Sequence, residues 1–291
     1  MGINLKILVT GANGQLGREL LDVFGRVAPG IATGVTHDDL DITDSDALER
    51  FLGNGEFTHV VNCAAYTAVD RAEEEKHLCN SVNNDGVANI ARNADTLNLR
   101  IIHISTDYVF DGKACRPYNE SAKPEPLSVY GTTKRKGETA LLGLAPSSII
   151  IRTGWLYSPH GRNFVKTMLA KGEKGEHLAV VDDQTGTPTY AADLAEAIAA
   201  IILRGKWMPG IYNYSNEGTA SWYDFAVATL EAAGLHDAAA DVTPIHTADY
   251  PTAATRPAYA VLDKTKIKDT FGLKIPHWQD GLRRCIARLR Q

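Results

Sequence analysis

Cysteine is scarce in this chain of 291 residues, and its spacing excludes two classes of site. The four cysteines form neither a CxxC pair nor a spacing typical of metal ligands; they are Cys63, Cys79, Cys115 and Cys285. In a chain of this size they indicate reduced thiols rather than a disulfide framework. No cluster of histidine and cysteine suggests a metal, so we expect no metal cofactor.

Long apolar runs and an excess of positive charge are also missing. No apolar stretch approaches the roughly 20 residues that a membrane-spanning helix needs. The N-terminal LKILV is shorter than the core of a signal peptide, so we expect a cytoplasmic protein. A formal net charge of -5 and the lack of a basic stripe argue against a nucleic-acid-binding module. We therefore expect an enzyme or binding protein that contacts neither membrane nor nucleic acid.

The hydrophobic pattern of the first half predicts alternating strands and helices. Short, β-branched apolar runs are typical of strands buried on both faces, and they occupy 6–10, 30–35, 58–62, 100–106 and 148–153. Helical patterns lie between them, near 15–25, 44–53, 73–97 and 128–143. This alternation predicts an α/β fold with a Rossmann-like, doubly wound parallel sheet. The proline-bearing stretch 113–126 is expected to be an ordered loop.

The pattern changes after about residue 153, where loops rich in Gly, Pro, Asn, Asp and Thr separate the predicted helices. One helix is predicted over 190–203, and another runs from Ser221 to Ala233 with Ser221 as its N-cap. We expect 154–291 to form mainly a smaller lobe over the strand ends, with some segments returning to the first domain. Ligands of open α/β sheets bind at those strand ends.

A glycine-rich turn joins the first predicted strand to the first helix. It reads GANGQLG (11–17), a GxxGxxG spacing in the context that the dinucleotide fingerprint requires. Glycines allow a tight turn and a close approach of pyrophosphate, and the helix N-terminus offers free N–H groups. The alternative is a turn without a ligand. We expect 1–153 to be an NAD(P)-binding Rossmann domain, with the cofactor at Gly11, Asn13, Gly14, Gln15 and Leu16.

The second predicted strand, IATGVTH, ends without the carboxylate that usually binds an adenosine ribose. This favours NADPH, whose 2′-phosphate a carboxylate would repel, with NADH as the alternative. Asp41 and Ile42 follow in a turn, where Asp41 would accept from the adenine amino group or cap the helix over 44–53. Small residues after the third strand would let the cofactor pass close to the backbone, or serve close packing; the segment is Cys63, Ala64, Ala65 and Tyr66.

Tyr130 and Lys134 stand four residues apart on a predicted helix, so they share one helix face. The fourth strand ends in Ser105 and Thr106, whose hydroxyls are expected in the ligand crevice. A neighbouring ammonium lowers the pKa of a tyrosine, which can then exchange a proton with a carbonyl or alcohol. Alone, Tyr130 is more typical of a half-buried structural tyrosine. The glycine fingerprint and the Ser-Thr strand end favour the catalytic interpretation.

Nine stretches together resemble the extended short-chain dehydrogenase/reductase family, and within it the dTDP-4-dehydrorhamnose reductases, over nearly the full chain. They are GANGQLG (11–17), NCAAYTAVDRAE (62–73), STDYVFDG (105–112), VYGTTKRKGE (129–138), RTGWLY (152–157), NFVKTML (163–169), VVDDQTGTPTY (180–190), SWYDFA (221–226) and RPAYAVLD (256–263). The set is specific, although no single member is. The resemblance implies an NADPH-dependent reductase of a nucleotide sugar. The enzyme would reduce the 4-keto group of dTDP-4-dehydro-β-L-rhamnose and so form dTDP-β-L-rhamnose.

The resemblance also implies roles for the three residues of the catalytic set. Tyr130 would protonate the developing alkoxide, and Thr106 would orient the carbonyl. Lys134 would lower the pKa of Tyr130 and hydrogen-bond the nicotinamide ribose. In this interpretation Tyr130 belongs to both the cofactor and the substrate sites, Lys134 to the cofactor site and Thr106 to the substrate site.

Residues for the sugar nucleotide are implied in the same way, each with a structural alternative. Trp155 and Tyr108 would contact the sugar ring, or be aromatic core residues. Val69 would pack beside the sugar, or belong to the core. Asn163 would reach the sugar or diphosphate, or cap the helix that follows it. Arg256 would hold the diphosphate, or form a surface ion pair.

One departure from related enzymes bears on the reaction. Sugar-nucleotide 4,6-dehydratases carry an Asp-Glu pair directly after this threonine, whereas here the residues are Asp107 and Tyr108, which argues against dehydration. Two other functions stay open: reduction or epimerisation of another nucleotide sugar, and a non-catalytic NADP-binding regulatory subunit. The intact catalytic set argues against the second. A homodimer is compatible with the sequence, which does not itself indicate the oligomeric state.

Overall fold

A parallel sheet of six strands forms the centre of the computed structural model, which describes residues 5–291. In chain order the strands are β1 (Ile7–Thr10), β2 (Ala32–Val35), β3 (His59–Asn62), β4 (Arg100–Thr106), β5 (Ile149–Thr153) and β10 (Gly210–Asn213). Their order across the sheet is β10-β5-β4-β3-β1-β2, and every neighbouring pair is parallel. The five strands predicted in the first half and the doubly wound architecture are confirmed.

Helices cover both faces of the sheet. Successive residues of a strand point to opposite faces, so each strand contributes side chains to two cores. Ile7 and Val9 of β1 enter one core with α1 (Gln15–Val27) and α7 (Ala191–Leu203), whereas Leu8 enters the other. That second core holds α2 (Ser45–Gly55), α4 (Gly86–Thr96) and α5 (Val129–Leu144). Both sides of the strands are therefore dry, which explains their nearly continuous apolar sequences.

The single helix predicted over 73–97 is broken in the structure. A 3₁₀ turn (Arg71–Glu73) precedes α3 (Lys76–Asn80), and a π turn (Ser81–Asp85) joins α3 to α4. Helix α5 approaches this turn closely: a Cβ on Gly137 would lie 2.1 Å from the carbonyl oxygen of Asn83. The periodic pattern hid this irregularity because apolar spacing alone does not report such a close backbone contact.

The second half adds short strands and helices. The strands are β6 (Leu156–Tyr157), β7 (Leu178–Val181), β8 (Thr185–Gly186), β9 (Thr189–Tyr190), β11 (Ala220–Ser221) and β12 (Val242–Ile245). They pair as β11-β8, β12-β7 and β6-β9. The helices are α6 (Phe164–Gly172), α8 (Trp222–Ala232), α9 (His236–Ala240), α10 (Thr265–Phe271) and α11 (Trp278–Leu289). Strand β10 pairs with β5, so this half also completes the central sheet. The division into two domains at residue 153 stays a prediction.

Two local predictions are confirmed. Ser221 caps α8: its Oγ accepts from the backbone N of Asp224 at 3.0 Å, and the carboxylate of Asp224 accepts from the backbone N of Ser221 at 2.8 Å. The stretch 113–126 contains neither a helix nor a strand.

All four cysteines are free thiols, as expected. None of the helices within residues 5–291 combines the length and the apolarity that crossing a membrane would require.

We expect Leu48→Ala to lower the free energy of unfolding by about 2–5 kcal/mol, because Leu48 is fully buried and its removal leaves a cavity. The matched control is Leu144→Ala, at a leucine that is 42% exposed, which should cost less than about 1 kcal/mol. Urea unfolding of the two variants measures the difference. Equal losses would show that α2 does not depend on this core.

Candidate active site

A cavity of about 810 Å³ opens where the carboxyl ends of the parallel strands meet the second half of the chain. Because the strands are parallel, the residues that follow β1, β2 and β3 and those that end β4 and β5 reach it together. Among the predicted site residues, all of which the structure describes, only Asn163 does not line it. Both predicted subsites therefore belong to one continuous space.

The turn after β1 leaves the N-terminus of α1 open to the cavity. Gly11 has a φ of +66°, and a Cβ there would lie 2.8 Å from the backbone N of Ala64. A Cβ on Gly17 would lie 2.4 Å from the carbonyl oxygen of Gly11. Within the described residues no side chain caps this helix at Gly14. Free N–H groups and the helix dipole thus face a space that only a glycine turn leaves clear, which fits a pyrophosphate.

The segment after β2 also borders the cavity. Asp41 makes a local turn, in which its Oδ1 accepts from the backbone N and the Oγ1 of Thr43, both at 2.8 Å. Helix α2 is instead capped by Asp44, whose Oδ1 accepts from Ala47 N at 2.9 Å. The alternative that Asp41 caps this helix is therefore wrong. Asp41 and Ile42 both line the cavity.

Asn62 positions the small residues that follow β3. Its Oδ1 accepts from the backbone N of Ala64 at 3.2 Å. Tyr66 is held by Asn83, which accepts from Tyr66 N at 2.9 Å and donates to Tyr66 O at 3.0 Å. Burial raises the pKa of the Cys63 thiol to about 12, so this cysteine stays protonated and is not a nucleophile. The lining residues from Cys63 to Tyr66 therefore bring no charge to the cavity wall.

A close backbone approach brings Thr106 and Tyr130 together. Ser128 caps α5, accepting from Gly131 N at 3.1 Å. A Cβ on Gly131 would lie 2.2 Å from the carbonyl oxygen of Tyr108. The glycine between Tyr130 and Lys134 is therefore required for the first turn of α5 to pack against the segment that follows β4.

The side chain of Tyr130 is half-buried at the cavity wall, which Thr106 also lines. Desolvation raises the pKa of Tyr130 above its ordinary value, and the nearby hydroxyl of Thr106 only partly opposes that effect. The net pKa of Tyr130 therefore lies above its ordinary value rather than below it, and the effect of Lys134 on this pKa stays a prediction. Tyr130 is accordingly a phenol at neutral pH, the state of a proton donor.

Lys134 lies one turn further along α5 and is also buried. Its Nζ donates to the carbonyl oxygen of Ile104 at 2.6 Å and lies 3.4 Å from His103 Nε2. Burial lowers the pKa of Lys134 to about 8, although the carboxylate of Glu138 raises it. Burial likewise holds the pKa of His103 well below its ordinary value. Lys134 therefore retains a positive charge at neutral pH beside a neutral imidazole.

A buried ion pair fixes the same helix to the sheet one turn later. Glu138 Oε1 and Oε2 accept from Arg152 Nε at 2.8 Å and Nη2 at 2.7 Å. Ser105 Oγ donates to Oε1 at 2.7 Å, and Arg135 Nη1 donates to Oε2 at 2.9 Å. Burial alone would raise the pKa of Glu138. The hydrogen bonds and charge of Arg152 outweigh that effect, so the net pKa lies below its ordinary value. The Glu138 carboxylate is ionised and fully bonded.

At the part of the cavity wall formed by Val69 and Tyr108, Arg256 is held by two side chains. Its Nη2 donates to Asp70 Oδ2 at 2.7 Å and its Nη1 donates to the hydroxyl of Tyr108 at 3.0 Å. The predicted ion-pair alternative is thus present, although Arg256, Tyr108 and Val69 also line the cavity. A guanidinium held in this way is oriented towards anionic ligands before they bind.

Trp155 and Trp222 form a stacked pair on the cavity wall. Their ring centroids lie 3.6 Å apart with planes 9° from parallel. Trp155 has a φ of +49°, a conformation that costs energy for a bulky residue. Gly186 makes room for the ring, since a Cβ there would lie 2.5 Å from Trp155 Cε2. The indole N–H of Trp222 donates to Gln184 Oε1 at 3.2 Å.

Comparison with known proteins identifies the family. The model of the family described as RmlD substrate binding domain matches residues 5–291. The chain belongs to the RmlD family. A dTDP-4-dehydrorhamnose reductase from Aggregatibacter actinomycetemcomitans is 42% identical over 97% of this chain and 98% of that protein. A dTDP-4-keto-6-deoxy-D-glucose reductase from Streptomyces niveus is 38% identical, covering 94% of each chain.

Solved structures agree with this assignment to the RmlD family. The crystal structure of dTDP-4-dehydrorhamnose reductase from Bacillus anthracis, in complex with NADP, matches with a TM-score of 0.92 at 34% identity. The match covers 98% of this chain and 100% of the Bacillus anthracis chain. The resemblance inferred from the nine sequence stretches is therefore confirmed, and so is the fold.

Asn163 is the predicted RmlD-family site residue that the structure places elsewhere among the residues it describes. It caps α6, with Oδ1 accepting from Lys166 N at 3.1 Å. Its Nδ2 donates to Ser158 O at 2.7 Å and to Gln15 Oε1 at 2.9 Å. The capping alternative is confirmed. Its link to Gln15 ties the lobe to the glycine turn, while a direct contact with substrate stays a prediction.

Several cavity residues of this RmlD-family chain escaped the sequence analysis. Trp222 and Phe225 were given no role in the site, yet both line the cavity. Asn62 and His103, which lie behind the wall, were also missed. The spacing of Tyr130, Lys134 and Glu138 at intervals of four was a usable signal for Glu138. Its partner Arg152 lies on a strand, and only the fold brings the two together.

We expect Glu138→Gln to lower the free energy of unfolding by about 3–5 kcal/mol, because it leaves Arg152 as a buried charge without its partner. The matched control is Glu125→Gln, at an exposed pair with Lys123, which should leave the urea midpoint nearly unchanged. Since the pKa of Glu138 is depressed, its contribution is present at neutral pH and lost as the pH falls. A wild-type advantage that persists undiminished in acid would contradict this.

Proposed function

We propose that this chain catalyses the NADPH-dependent reduction of the 4-keto group of dTDP-4-dehydro-β-L-rhamnose to dTDP-β-L-rhamnose. The observation that carries the proposal is one cavity in which Thr106, Tyr130 and Lys134 lie beside the open N-terminus of α1. Relatives named dTDP-4-dehydrorhamnose reductase, matched over nearly the full chain, support the same reaction.

The glycine cradle and the helix N-terminus fit the pyrophosphate of a dinucleotide. Gly11, Asn13, Gly14, Gln15 and Leu16 would hold it, with Asp41 and Ile42 beside the adenine. The small residues Cys63, Ala64 and Ala65, followed by Tyr66, would border its path towards the catalytic residues. When bound, NADPH would supply the hydride that is added to sugar C4.

The described residues supply the proton and the positioning. Tyr130 would donate its phenol proton to the developing alkoxide, and its raised pKa keeps that proton in place until the reaction needs it. Thr106 would hydrogen-bond the same oxygen. Lys134 would bind the nicotinamide ribose, and its charge would stabilise the phenolate that Tyr130 becomes. Arg256, Tyr108, Val69 and Trp155 would hold the sugar nucleotide.

The preference for NADPH is part of the proposal, with NADH as the alternative. No carboxylate directly follows β2, whose next residues are Thr36 and His37. The carboxylate of Asp39 is tied to Thr36, accepting from its N at 2.9 Å and its Oγ1 at 2.7 Å. The NADP complex of the relative from Bacillus anthracis supports this preference. We also propose a cytoplasmic location, on the basis of the four free cysteines, and a homodimer.

A second candidate is the reduction of another nucleotide sugar. The Streptomyces niveus relative, named dTDP-4-keto-6-deoxy-D-glucose reductase, favours it at 38% identity. An epimerase and a non-catalytic NADP-binding subunit have less support, since Thr106, Tyr130 and Lys134 are all present in the cavity. Oxidation of NADPH with each purified sugar nucleotide in turn distinguishes these functions.

We expect Tyr130→Phe to lower kcat by roughly 10²–10⁴, the usual contribution of a placed general acid, with NADPH binding retained. The assay follows reduced-nicotinamide absorbance with enzymatically generated dTDP-4-dehydrorhamnose, and NADH is run in parallel. The matched control is Tyr250→Phe, at a tyrosine 57% exposed outside the cavity wall. A Phe variant with near-normal turnover would remove Tyr130 from the mechanism.

We expect Gly11→Ala to weaken NADPH binding by at least tenfold in calorimetry, because the added methyl would collide with the backbone of Ala64. Gly30→Ala is the matched control. Its φ of +86° imposes similar backbone strain, but nothing lies within 4 Å of the added carbon. Equal binding by both variants would show that the turn after β1 does not hold the cofactor.

A further inference from the structure

Asp107 follows Thr106 directly, and its carboxyl group is enclosed next to the catalytic residues. The residue is 2% exposed, and Thr106 Oγ1 donates to its Oδ1 at 3.0 Å. Its other oxygen lies against the backbone directly after β5: a Cβ on Gly154 would be 2.1 Å from Asp107 Oδ2. The carboxyl group is therefore held in one place, with its hydrogen bond aimed at a proposed catalytic hydroxyl.

The hydroxyl of Thr106 has a single proton to donate. While Asp107 is a carboxylate it can only accept, so that proton is directed into the protein. Thr106 Oγ1 meanwhile accepts from Tyr108 N at 3.2 Å. In this arrangement Thr106 has no proton for a ligand. A protonated Asp107 could instead donate a hydrogen bond to Thr106 Oγ1. The O–H group of Thr106 could then point into the cavity.

We propose that Asp107 is a positioning residue whose protonated carboxyl group directs the Thr106 hydroxyl proton to the keto oxygen of the substrate. The proposal rests on the reductase function proposed above. It adds to that function a protein-side hydrogen-bond chain from Asp107 to Thr106 to the substrate oxygen. This reorientation transfers no proton to the substrate, because only the directions of the Asp107 and Thr106 O–H groups change.

The surroundings of Asp107 favour such a switch. Burial raises the pKa of Asp107 to about 7, although Thr106 and two backbone N–H groups lower it. Tyr108 and Tyr130 both have raised pKa values and remain neutral beside it. Protonated and ionised Asp107 are therefore both populated near neutral pH.

The cations of the neighbouring elements have other partners. Arg256 donates to Asp70 and Tyr108, and Arg152 of β5 pairs with Glu138. Lys134 of α5 donates to Ile104 O and contacts a neutral His103. A carboxylate at position 107 thus gains no ion pair from these groups, which is why its neutral form persists to such a high pH.

The kinetic test compares kcat profiles from about pH 5.5 to 9 at saturating NADPH and sugar. Wild-type kcat should fall with single-proton steepness as the pH rises through about 7, where Asp107 ionises. Asp107→Asn, an amide of the same size that can donate to Thr106, should lose this decline. Thr106→Val, which has no hydroxyl to direct, should lose it as well, at a lower kcat.

The same profiles contain their own control. Lys134, whose pKa is about 8, should still produce a later decline in wild type and in both variants. KM for NADPH should be unchanged, because Asp107 acts on the sugar oxygen through Thr106. Retention of the earlier decline in either variant, or an effect on KM alone, overturns the proposal.

A second measurement does not depend on turnover. In protein labelled with ¹³C at the aspartate carboxyl carbons, the Asp107 signal is the one lost in Asp107→Asn. If that variant does not fold, it is the signal that Thr106→Val displaces most. We expect its midpoint near 7, moving upward in Thr106→Val because a donor to the carboxylate has been lost.

The two outcomes separate the inference from the function. A midpoint in the ordinary aspartate range, or one that Thr106→Val leaves unchanged, overturns the coupling even if the protein is a reductase. A coupled midpoint near 7 in a protein that reduces no nucleotide sugar supports the coupling and counts against the proposed reaction.

Discussion

The buried ion pair between Glu138 and Arg152 is the constraint on which the site depends. It joins α5 to β5, and Ser105 ties β4 to the same carboxylate. Lys134 and Tyr130 precede Glu138 on the same helix at intervals of one turn, so fixing the helix at Glu138 sets the depth of both side chains. Removing either partner would leave a buried charge uncompensated, which makes this pair a structural necessity once it exists.

Glycines, which have no side chain, are as important for the position of α5 as the residues that form the ion pair. Gly131 allows α5 to contact the carbonyl oxygen of Tyr108, and Gly137 allows it to contact that of Asn83. These two close approaches place α5 against the segment after β4 and against the π turn Ser81–Asp85. The same principle operates at Gly11 and Gly17, where close backbone approaches form the turn that is proposed to hold the pyrophosphate.

Burial then sets the protonation state of each proposed catalytic group. It raises the pKa of Tyr130 and of Asp107 and lowers that of Lys134, because each charged form loses its hydration in the protein interior. A neutral phenol and a cationic lysine are the states that ketone reduction uses. The carboxyl group of Asp107, with a pKa of about 7, is the member of this set poised to change with pH.

The sequence by itself determined the doubly wound sheet and located the glycine turn and the residues proposed as the catalytic set, because each follows from local periodicity or from a motif with fixed spacing. It also indicated most of the cavity wall, since residues after parallel strands share one edge. Tertiary structure decided the rest: the pairing of Glu138 with Arg152, the stacking of Trp155 on Trp222, and the capping role of Asn163. It also reversed the expected direction of the Tyr130 pKa. These depend on which distant segments exclude water from a group, and spacing along a chain carries no record of that.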